Sequence, residues 1–251
     1  MALTREVSSG LAGCELTHLP RLSIDVALAR RQHAAYEHAL RDAGYTVERL
    51  EASPEMPDSV FIEDVAIVFD ELAIVTRPGA ESRRAEVPAV AEALQRFRPV
   101  RVIQPPGTID GGDVLVAGRQ VFVGLSTRTN ADAARQMREM LAPLGYTVRE
   151  ARVRGCLHLK SAVTAIAGDM LLANLAWIER GLFDGFEVVE IDASEPMAAN
   201  ALRVGDRVIY PTAFPRTADR LAARGLTVSF VDASEVAKAE GAVTCCSLIV
   251  N

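Results

Sequence analysis

Residues 110–123 read DGGDVLVAGRQVFV, and this stretch holds the pattern from which the fold of the whole chain is predicted. Two apolar runs, Val114–Val116 and Val121–Val123, flank a turn at Gly118-Arg119. Apolar runs on either side of a glycine-containing two-residue turn are typical of a β-hairpin. A helical pattern near 131–144 and an apolar strand at 146–152 follow, so the stretch opens a ββαβ unit.

The same unit recurs along the chain. Its hairpin turns fall at Asp70, Gly118, Gly168 and Gly205, which are 48, 50 and 37 residues apart. Further helices are predicted near 85–97, 175–184 and 216–224. Units that cannot bury their apolar faces alone must stack on their neighbours. The repeat therefore predicts several blades packed against one another.

A fifth unit is split between the two ends of the chain. Thr244–Val250 is predicted to be its inner strand, residues 24–43 its helix with Ser23 as N-cap, and residues 45–50 its outer strand. Residues 3–22, rich in small residues, are expected to form an irregular loop. Joining the first and last units closes a ring. We therefore predict an α/β fold, a five-bladed α/β-propeller of ββαβ units with pseudo-fivefold symmetry around a central active-site cavity, in a single domain over residues 1–251.

The composition excludes several classes of protein. The 251 residues carry a net charge of -6 with no basic stripe, which disfavours nucleic acid and anionic membranes as partners. The first six residues do not resemble a signal peptide, and no apolar run is long enough to span a bilayer. The four cysteines show no CxxC spacing and no Cys/His cluster, which disfavours a disulfide scaffold or a structural zinc site. We expect a cytoplasmic protein without a metal or cofactor.

Polar residues stand at the same position of every unit, just before its first strand. They are Glu63 and Asp64, Asp110 and Asp113, His158 and Lys160, Asn200, and Cys245 and Cys246. Equivalent positions in a closed ring converge on its axis, and charges are rarely buried without a partner. Alternation in a strand would let one member of an adjacent pair face the cavity, unless the backbone is bulged. Which of Asp110 and Asp113 is structural is left open.

These residue types fit one chemistry. A cysteine thiolate beside a cation is a strong nucleophile, and a histidine can move protons. Carboxylates in a cavity demand a cationic group, which a planar guanidinium supplies with bidentate geometry. Arg83 and Arg128, placed in loops at the mouth, would hold a carboxylate. The pattern indicates a free amino acid that bears a guanidinium.

The chain resembles the dimethylarginine dimethylaminohydrolase family of the guanidino-modifying (pentein) superfamily. The matching stretches run in order from residue 57 to the end: PDSVFIED (57–64), RPGAESRR (77–84), IDGGDV (109–114), GLSTRTN (124–130), LHLK (157–160) and TCCS (244–247). The resemblance implies hydrolysis of Nω-methylated arginines (asymmetric dimethylarginine and monomethylarginine) to citrulline and dimethylamine or methylamine, through a covalent cysteine thiouronium, without a cofactor.

The resemblance also implies a role for each matching residue. Cys245 corresponds to the nucleophile, His158 to the general acid/base and Asp110 to the acid of the triad, while Cys246 is expected to pack on the opposite face. The residues implied for substrate binding are Asp64 with Glu63 at the guanidinium, Asp58 and Phe61 beside the substrate, Arg83 and Arg128 at its carboxylate, and Leu11 in a lid loop.

Three other functions compete with this interpretation. An arginine deiminase would use the same residues on unmethylated arginine, but such enzymes usually carry an inserted helical domain that these 251 residues lack. A non-enzymatic pentein that binds another molecule would need no Cys/His pair. A metalloprotein built on Cys245, His158 and the acids would lack paired ligand spacing. A homodimer is left open by the sequence.

Overall fold

The structure, a computed structural model, describes the backbone of residues 1–250 and their side chains apart from that of Arg180. Within these residues, fifteen short strands form five three-stranded sheets. In chain order the strands are β1 (Ala2–Arg5), β2 (Val47–Leu50), β3 (Ala66–Val68), β4 (Ala73–Val75), β5 (Val100–Val102), β6 (Val114–Ala117), β7 (Gln120–Leu125), β8 (Thr147–Arg152), β9 (Val163–Ala167), β10 (Met170–Ala173), β11 (Glu187–Glu190), β12 (Leu202–Val204), β13 (Arg207–Pro211), β14 (Thr227–Val231) and β15 (Leu248–Ile249).

The longer α-helices pack outside the sheets, and the shorter ones are single turns between other elements. They are α1 (Val26–Asp42), α2 (Val87–Gln95), α3 (Ala131–Leu141), α4 (Leu159–Ala162), α5 (Pro215–Ala222) and α6 (Ser234–Ala237). Among the described residues, none of the helices combines the length and the hydropathy that crossing a membrane requires. Single turns of 3-10 helix also occur, and those that position the site are named below.

Each sheet is one blade with the same hydrogen-bonding pattern. The inner strand pairs antiparallel with the middle strand, and the middle strand pairs parallel with the outer strand. Blades one to four follow one another along the chain as β3-β4-β5, β6-β7-β8, β9-β10-β11 and β12-β13-β14. Blade five is β15-β1-β2, so both ends of the chain contribute to it. The predicted five-bladed α/β-propeller, with its ring closed between the chain ends, is confirmed.

The inner strands of all five blades line one central cavity of about 290 Å³. The four predicted hairpin turns also lie where the repeat placed them, between β3 and β4, β6 and β7, β9 and β10, and β12 and β13. The repeat therefore identified both the blades and their common axis. The third unit differs, because the helix expected near 175–184 is a single 3-10 turn, Arg180–Phe183.

The prediction of an irregular loop over residues 3–22 was wrong at its start. Ala2–Arg5 is the middle strand of blade five, with β15 on one side and β2 on the other. All four residues are buried because both faces of the strand are covered, so no polar alternation marks it. The polar Thr4 is satisfied by a hydrogen bond to Glu37 of α1. The N-cap of α1 is Asp25, whose side chain accepts the Leu28 amide, and not Ser23.

The predicted terminal strand Thr244–Val250 is shorter than expected. Only Leu248–Ile249 pairs as β15, and Thr244–Cys246 forms a 3-10 turn before it. Similar turns precede the inner strands of blades one, two and three, at Ile62–Val65, Gly111–Asp113 and α4. These turns contact one another near the axis. In blades one, two, three and five the repeated polar positions therefore lie on or directly before helical turns that meet, and not on the strands themselves.

Candidate active site

The meeting turns enclose a small cavity, separate from the large central one. Eight of the ten predicted site residues line it, and Leu11 and Glu63 do not. The lining residues are Glu15, Asp58, Phe61, Asp64, Arg83, Asp110, Arg128, Leu157, His158, Ala239, Glu240, Gly241 and Cys245. Its volume of about 20 Å³ has room for one water molecule. The structure therefore presents a closed site that must open to admit a larger molecule.

His158 lies at the centre of a group of carboxylates, immediately before α4. Its Nε2 is 3.2 Å from Asp110 Oδ2, and its Nδ1 is 3.8 Å from Asp64 Oδ1. Burial alone would lower the pKa of His158, but the negative charges of Asp64, Asp113 and Asp110 outweigh it and raise that pKa to about 9. The buried imidazole is therefore protonated at neutral pH and can donate a proton.

The structure decides which of the two aspartates of residues 110–113 faces the histidine. Asp113 accepts hydrogen bonds from the hydroxyls of Ser126 and Thr129 and from the Leu159 amide, which engages both of its oxygens. Asp110 accepts the Gly79 amide on Oδ1 and leaves Oδ2 for His158. Asp113 therefore holds the backbone beside His158, and Asp110 contacts the imidazole.

The two glycines between these aspartates let blades one, two and three approach closely. A Cβ on Gly111 would lie 2.0 Å from the carbonyl oxygen of Glu63, and one on Gly112 would lie 2.5 Å from His158 Nδ1. The Gly112 amide also donates to Asp64 Oδ1 at 3.0 Å. The glycines are thus required by packing at the site and not only by turn conformation.

Arg83 does not lie at the rim of the cavity, where the sequence placed it. Its guanidinium is buried and pairs with the carboxylates of Asp64 and Glu86, which are also buried. Its remaining donors bond to the carbonyls of Asp58 and Phe61. The predicted position of Arg83 at the mouth was therefore wrong, because its guanidinium is engaged at the wall of the cavity. Its contact with a substrate carboxylate stays a prediction.

The groups around Asp64 keep its carboxyl ionised. Burial opposes ionisation of its carboxyl, but His158, Arg83 and the Gly112 amide outweigh burial and hold the pKa of Asp64 below its usual value. An ionised carboxylate is thus kept beside His158 in a cavity that lacks bulk water. Such a group is suited to hold a cation.

Glu63 faces the other side of its turn. Its carboxylate pairs with Lys160 and accepts the Thr244 hydroxyl, and all three residues line the large central cavity. The neighbours Asp64 and Cys245 line the small cavity instead. The prediction that one of Glu63 and Asp64 faces the site is confirmed for Asp64, and Glu63 does not contact the small cavity.

Cys245 and Cys246 also separate to opposite sides. Cys245 is a half-buried residue with a free thiol on the small cavity, whereas Cys246 is buried in the apolar core against α1. Burial, followed by the charges of Glu63 and Asp64, raises the pKa of Cys245 well above its usual value. The thiol of Cys245 is therefore neutral at neutral pH, and a cation near it would favour the thiolate.

The mouth of the cavity is covered by the N-terminal loop. The half-buried Arg128 donates to the Thr17 hydroxyl at 3.3 Å, and the Asp58 carboxylate accepts the Glu15 amide at 3.1 Å. Phe61 packs so closely on Gly241 that a Cβ there would lie 2.1 Å from the ring. Groups predicted to bind substrate are thus partly occupied by the loop.

Two residues of this cover differ from the sequence-based expectation. Leu11 is fully buried in the apolar core under the loop, so its side chain is absent from the cavity wall. Glu240 was not predicted, and its carboxylate accepts the backbone amides of Thr17, His18 and Leu19. No sequence pattern marks Glu240, because its partners are backbone groups more than 200 residues away.

Asp64, Asp110 and His158 also form the one group among the described residues whose side-chain atoms lie close enough to hold a metal ion, within 4.8 Å of one another. Arg83 already pairs with Asp64, and His158 is protonated. A histidine binds a metal ion through a neutral ring nitrogen, so the protonated His158 disfavours a metal ion between these donors.

Comparison with known proteins identifies the family. A family model described as N,N dimethylarginine dimethylhydrolase, eukaryotic, matches residues 21–209. The N(G),N(G)-dimethylarginine dimethylaminohydrolase of Pseudomonas aeruginosa is 40% identical over 226 residues, covering 89% of each chain. The enzyme of the same name from Streptomyces coelicolor is 41% identical over 249 residues, covering 98% of this chain and 95% of that one.

Solved structures agree with the sequence matches. A cysteine-to-serine variant of the Pseudomonas aeruginosa enzyme in complex with citrulline superposes with a TM-score of 0.92 at 37% identity, covering 98% of this chain and 97% of that one. The N-terminal domain of the cyanobacterial arginine dihydrolase ArgZ reaches a TM-score of 0.90 at 18% identity, over 100% of this chain and 97% of that one, which shows a common fold alone. From the extent and identity of these matches, the chain belongs to the dimethylarginine dimethylaminohydrolase family.

Proposed function

We propose that the chain hydrolyses Nω-methylated arginines, asymmetric dimethylarginine and monomethylarginine, to citrulline and dimethylamine or methylamine. One observation carries the proposal. A free thiol, a protonated histidine and an ionised carboxylate share a cavity from which bulk water is excluded. The identity with curated dimethylarginine dimethylaminohydrolases supports the same conclusion.

Substrate recognition is assigned by charge. The guanidinium binds Asp64, whose carboxylate is ionised and buried, with Asp58 beside it. Arg128, half-buried and bonded only to a loop hydroxyl through its guanidinium, is the group available for the substrate carboxylate. Arg83 keeps Asp64 ionised from the wall of the cavity. Binding requires the loop over the mouth to move, because the cavity of about 20 Å³ is far smaller than an amino acid.

The first chemical step forms the covalent adduct. The substrate cation offsets the negative charges of Glu63 and Asp64, so Cys245 loses its proton to solvent. The thiolate sulfur bonds to the guanidinium carbon, and His158 donates its proton to the methylated nitrogen as the bond from that nitrogen to the carbon breaks. Dimethylamine or methylamine leaves, and a thiouronium on Cys245 remains.

The second step consumes water. The neutral His158 takes a proton from a water molecule, whose oxygen bonds to the thiouronium carbon. The bond from carbon to sulfur then breaks as the remaining hydroxyl proton passes to solvent, and citrulline and the Cys245 thiolate are released. Asp110 holds the imidazole through Nε2 during both transfers. All four cysteines are free thiols, which leads us to propose the reducing cytoplasm as the place of action.

The test is citrulline formation from asymmetric dimethylarginine, monomethylarginine and arginine in parallel. We expect turnover of the methylated substrates to exceed that of arginine, and Cys245→Ser to remove it almost completely. Cys246→Ser is the matched control, because it makes the same atomic change on the buried side of the same turn. Faster turnover of arginine would favour a deiminase, and full activity of Cys245→Ser would refute the nucleophile.

A further inference from the structure

We propose that Asn200 is a positioning residue that sets the distance between the Cys245 turn and the His158 turn. It is the polar residue of blade four in the repeat, and the chemistry above assigns it no role. The inference rests on the proposed function, because it concerns the alignment of the nucleophile with the acid. Asn200 itself does not line the small cavity.

The side chain of Asn200 is buried and reaches both turns at once. Its Oδ1 accepts the Thr244 backbone amide at 3.1 Å, and its Nδ2 donates to the Thr244 hydroxyl at 2.9 Å. The same Nδ2 donates to the Lys160 carbonyl at 3.1 Å. Thr244 directly precedes Cys245, and Lys160 follows His158 by two residues. One amide group therefore joins the two turns that carry the reacting side chains.

These contacts belong to a closed polar ring. The Thr244 hydroxyl donates to Glu63, and Glu63 pairs with Lys160, whose carbonyl returns to Asn200. Four blades contribute one residue each. Glu63 and Lys160 attract each other by charge, and because both side chains are long, they could pair at several distances between their backbones. Asn200 is short and makes two of its three bonds to backbone atoms, so it is the member that fixes the distance between the two backbones.

A displacement at this position should act on the chemical step and much less on binding. Misplacement of a reacting group by about 1 Å can cost roughly 100-fold in rate. Arg128 and Asp58, which are assigned to substrate binding, lie on other segments that Asn200 does not contact. Removal of the Asn200 side-chain amide should therefore lower kcat and leave KM nearly unchanged.

The experiment compares Asn200→Ala with Asn174→Ala. Asn174 is also buried, and its side chain bonds to the Ala176 amide and the Pro196 carbonyl, so this side chain makes contacts of the same kind outside both turns. The backbone amide of Asn174 donates to the Ala162 carbonyl of α4, and the substitution keeps that bond. We expect kcat of Asn200→Ala to fall roughly 10- to 100-fold with KM within about twofold, and Asn174→Ala to keep wild-type kcat. Equal kcat in both variants and the wild type would overturn the proposal. If Asn200→Ala does not fold, Asn200→Ser, whose hydroxyl is too short to span both turns, is expected to show the same loss.

A second readout does not depend on turnover. Alkylation by iodoacetamide is followed at each cysteine by peptide mass spectrometry. Release of the turn should expose the Cys245 thiol to water and speed its alkylation several-fold, while Cys14, Cys156 and Cys246 stay protected in the core. Equal acceleration at all four cysteines would indicate general unfolding and refute a positioning role. Absence of citrulline from every substrate with the wild type would refute the proposed function, and the alkylation pattern would still decide the role of Asn200.

Discussion

Replacing Asp110 with asparagine should make His158 a weaker base by about one pKa unit. The pKa of His158 is raised from 6.5 to about 9 although its burial acts in the opposite direction. A shift of this size corresponds to about 3 kcal/mol in favour of the imidazolium, supplied by three carboxylates. Asp110→Asn removes one of these charges and its hydrogen bond at 3.2 Å, while the side chain keeps its shape.

The sign of the pH effect follows from the raised pKa. Imidazolium stabilises the fold fully below the unfolded pKa of 6.5, and this contribution is lost as the pH rises through about 9. In Asp110→Asn the same loss should occur about one pH unit earlier. The alkaline limb of the pH profile of kcat should shift to lower pH by the same interval, because His158 must carry a proton for the departing amine.

The assay is an NMR titration of the imidazole signals, assigned with a His158→Gln variant, together with kcat for asymmetric dimethylarginine between about pH 6 and 10. Asp192→Asn is the matched control, since it makes the same chemical change at an aspartate that pairs with Arg220, outside the cavity lining. An unchanged His158 titration in Asp110→Asn would refute the assignment of Asp110 as the residue that keeps the acid protonated.

Two further substitutions test the packing and the cover of the site. Gly112→Ala should lower the free energy of unfolding by about 1–3 kcal/mol and reduce kcat, because the new Cβ would lie 2.5 Å from His158 Nδ1. Gly181→Ala is the control, because no atom lies within 4 Å of its Cβ position. Thermal melts and citrulline assays should show unchanged stability and kcat for this control. Glu240→Gln should speed amide hydrogen exchange at residues 17–19, because a neutral amide accepts these hydrogen bonds less strongly than a carboxylate. Exchange at the wild-type rate would show that Glu240 does not hold the loop closed, and the amides of α3 serve as the internal reference.

Much of the site was predictable because the repeat and the family resemblance both point to the same positions. His158, Asp64, Asp110 and Cys245 lie together as expected. The reason is geometric, since equivalent positions of similar units in a ring must approach the axis. The helical form of these positions was not predictable, because a single turn of three or four residues is too short to show a period.

The sequence by itself determined the number of blades and the closure of the ring by both chain ends, because hairpin turns and apolar runs are local features. Only the tertiary structure decided what each polar group contacts. It placed Arg83 in the wall between Asp64 and Glu86, turned Glu63 toward Lys160, and joined two turns through Asn200. Those partners come from different blades, and a buried charge or amide selects its partner by distance in the folded chain.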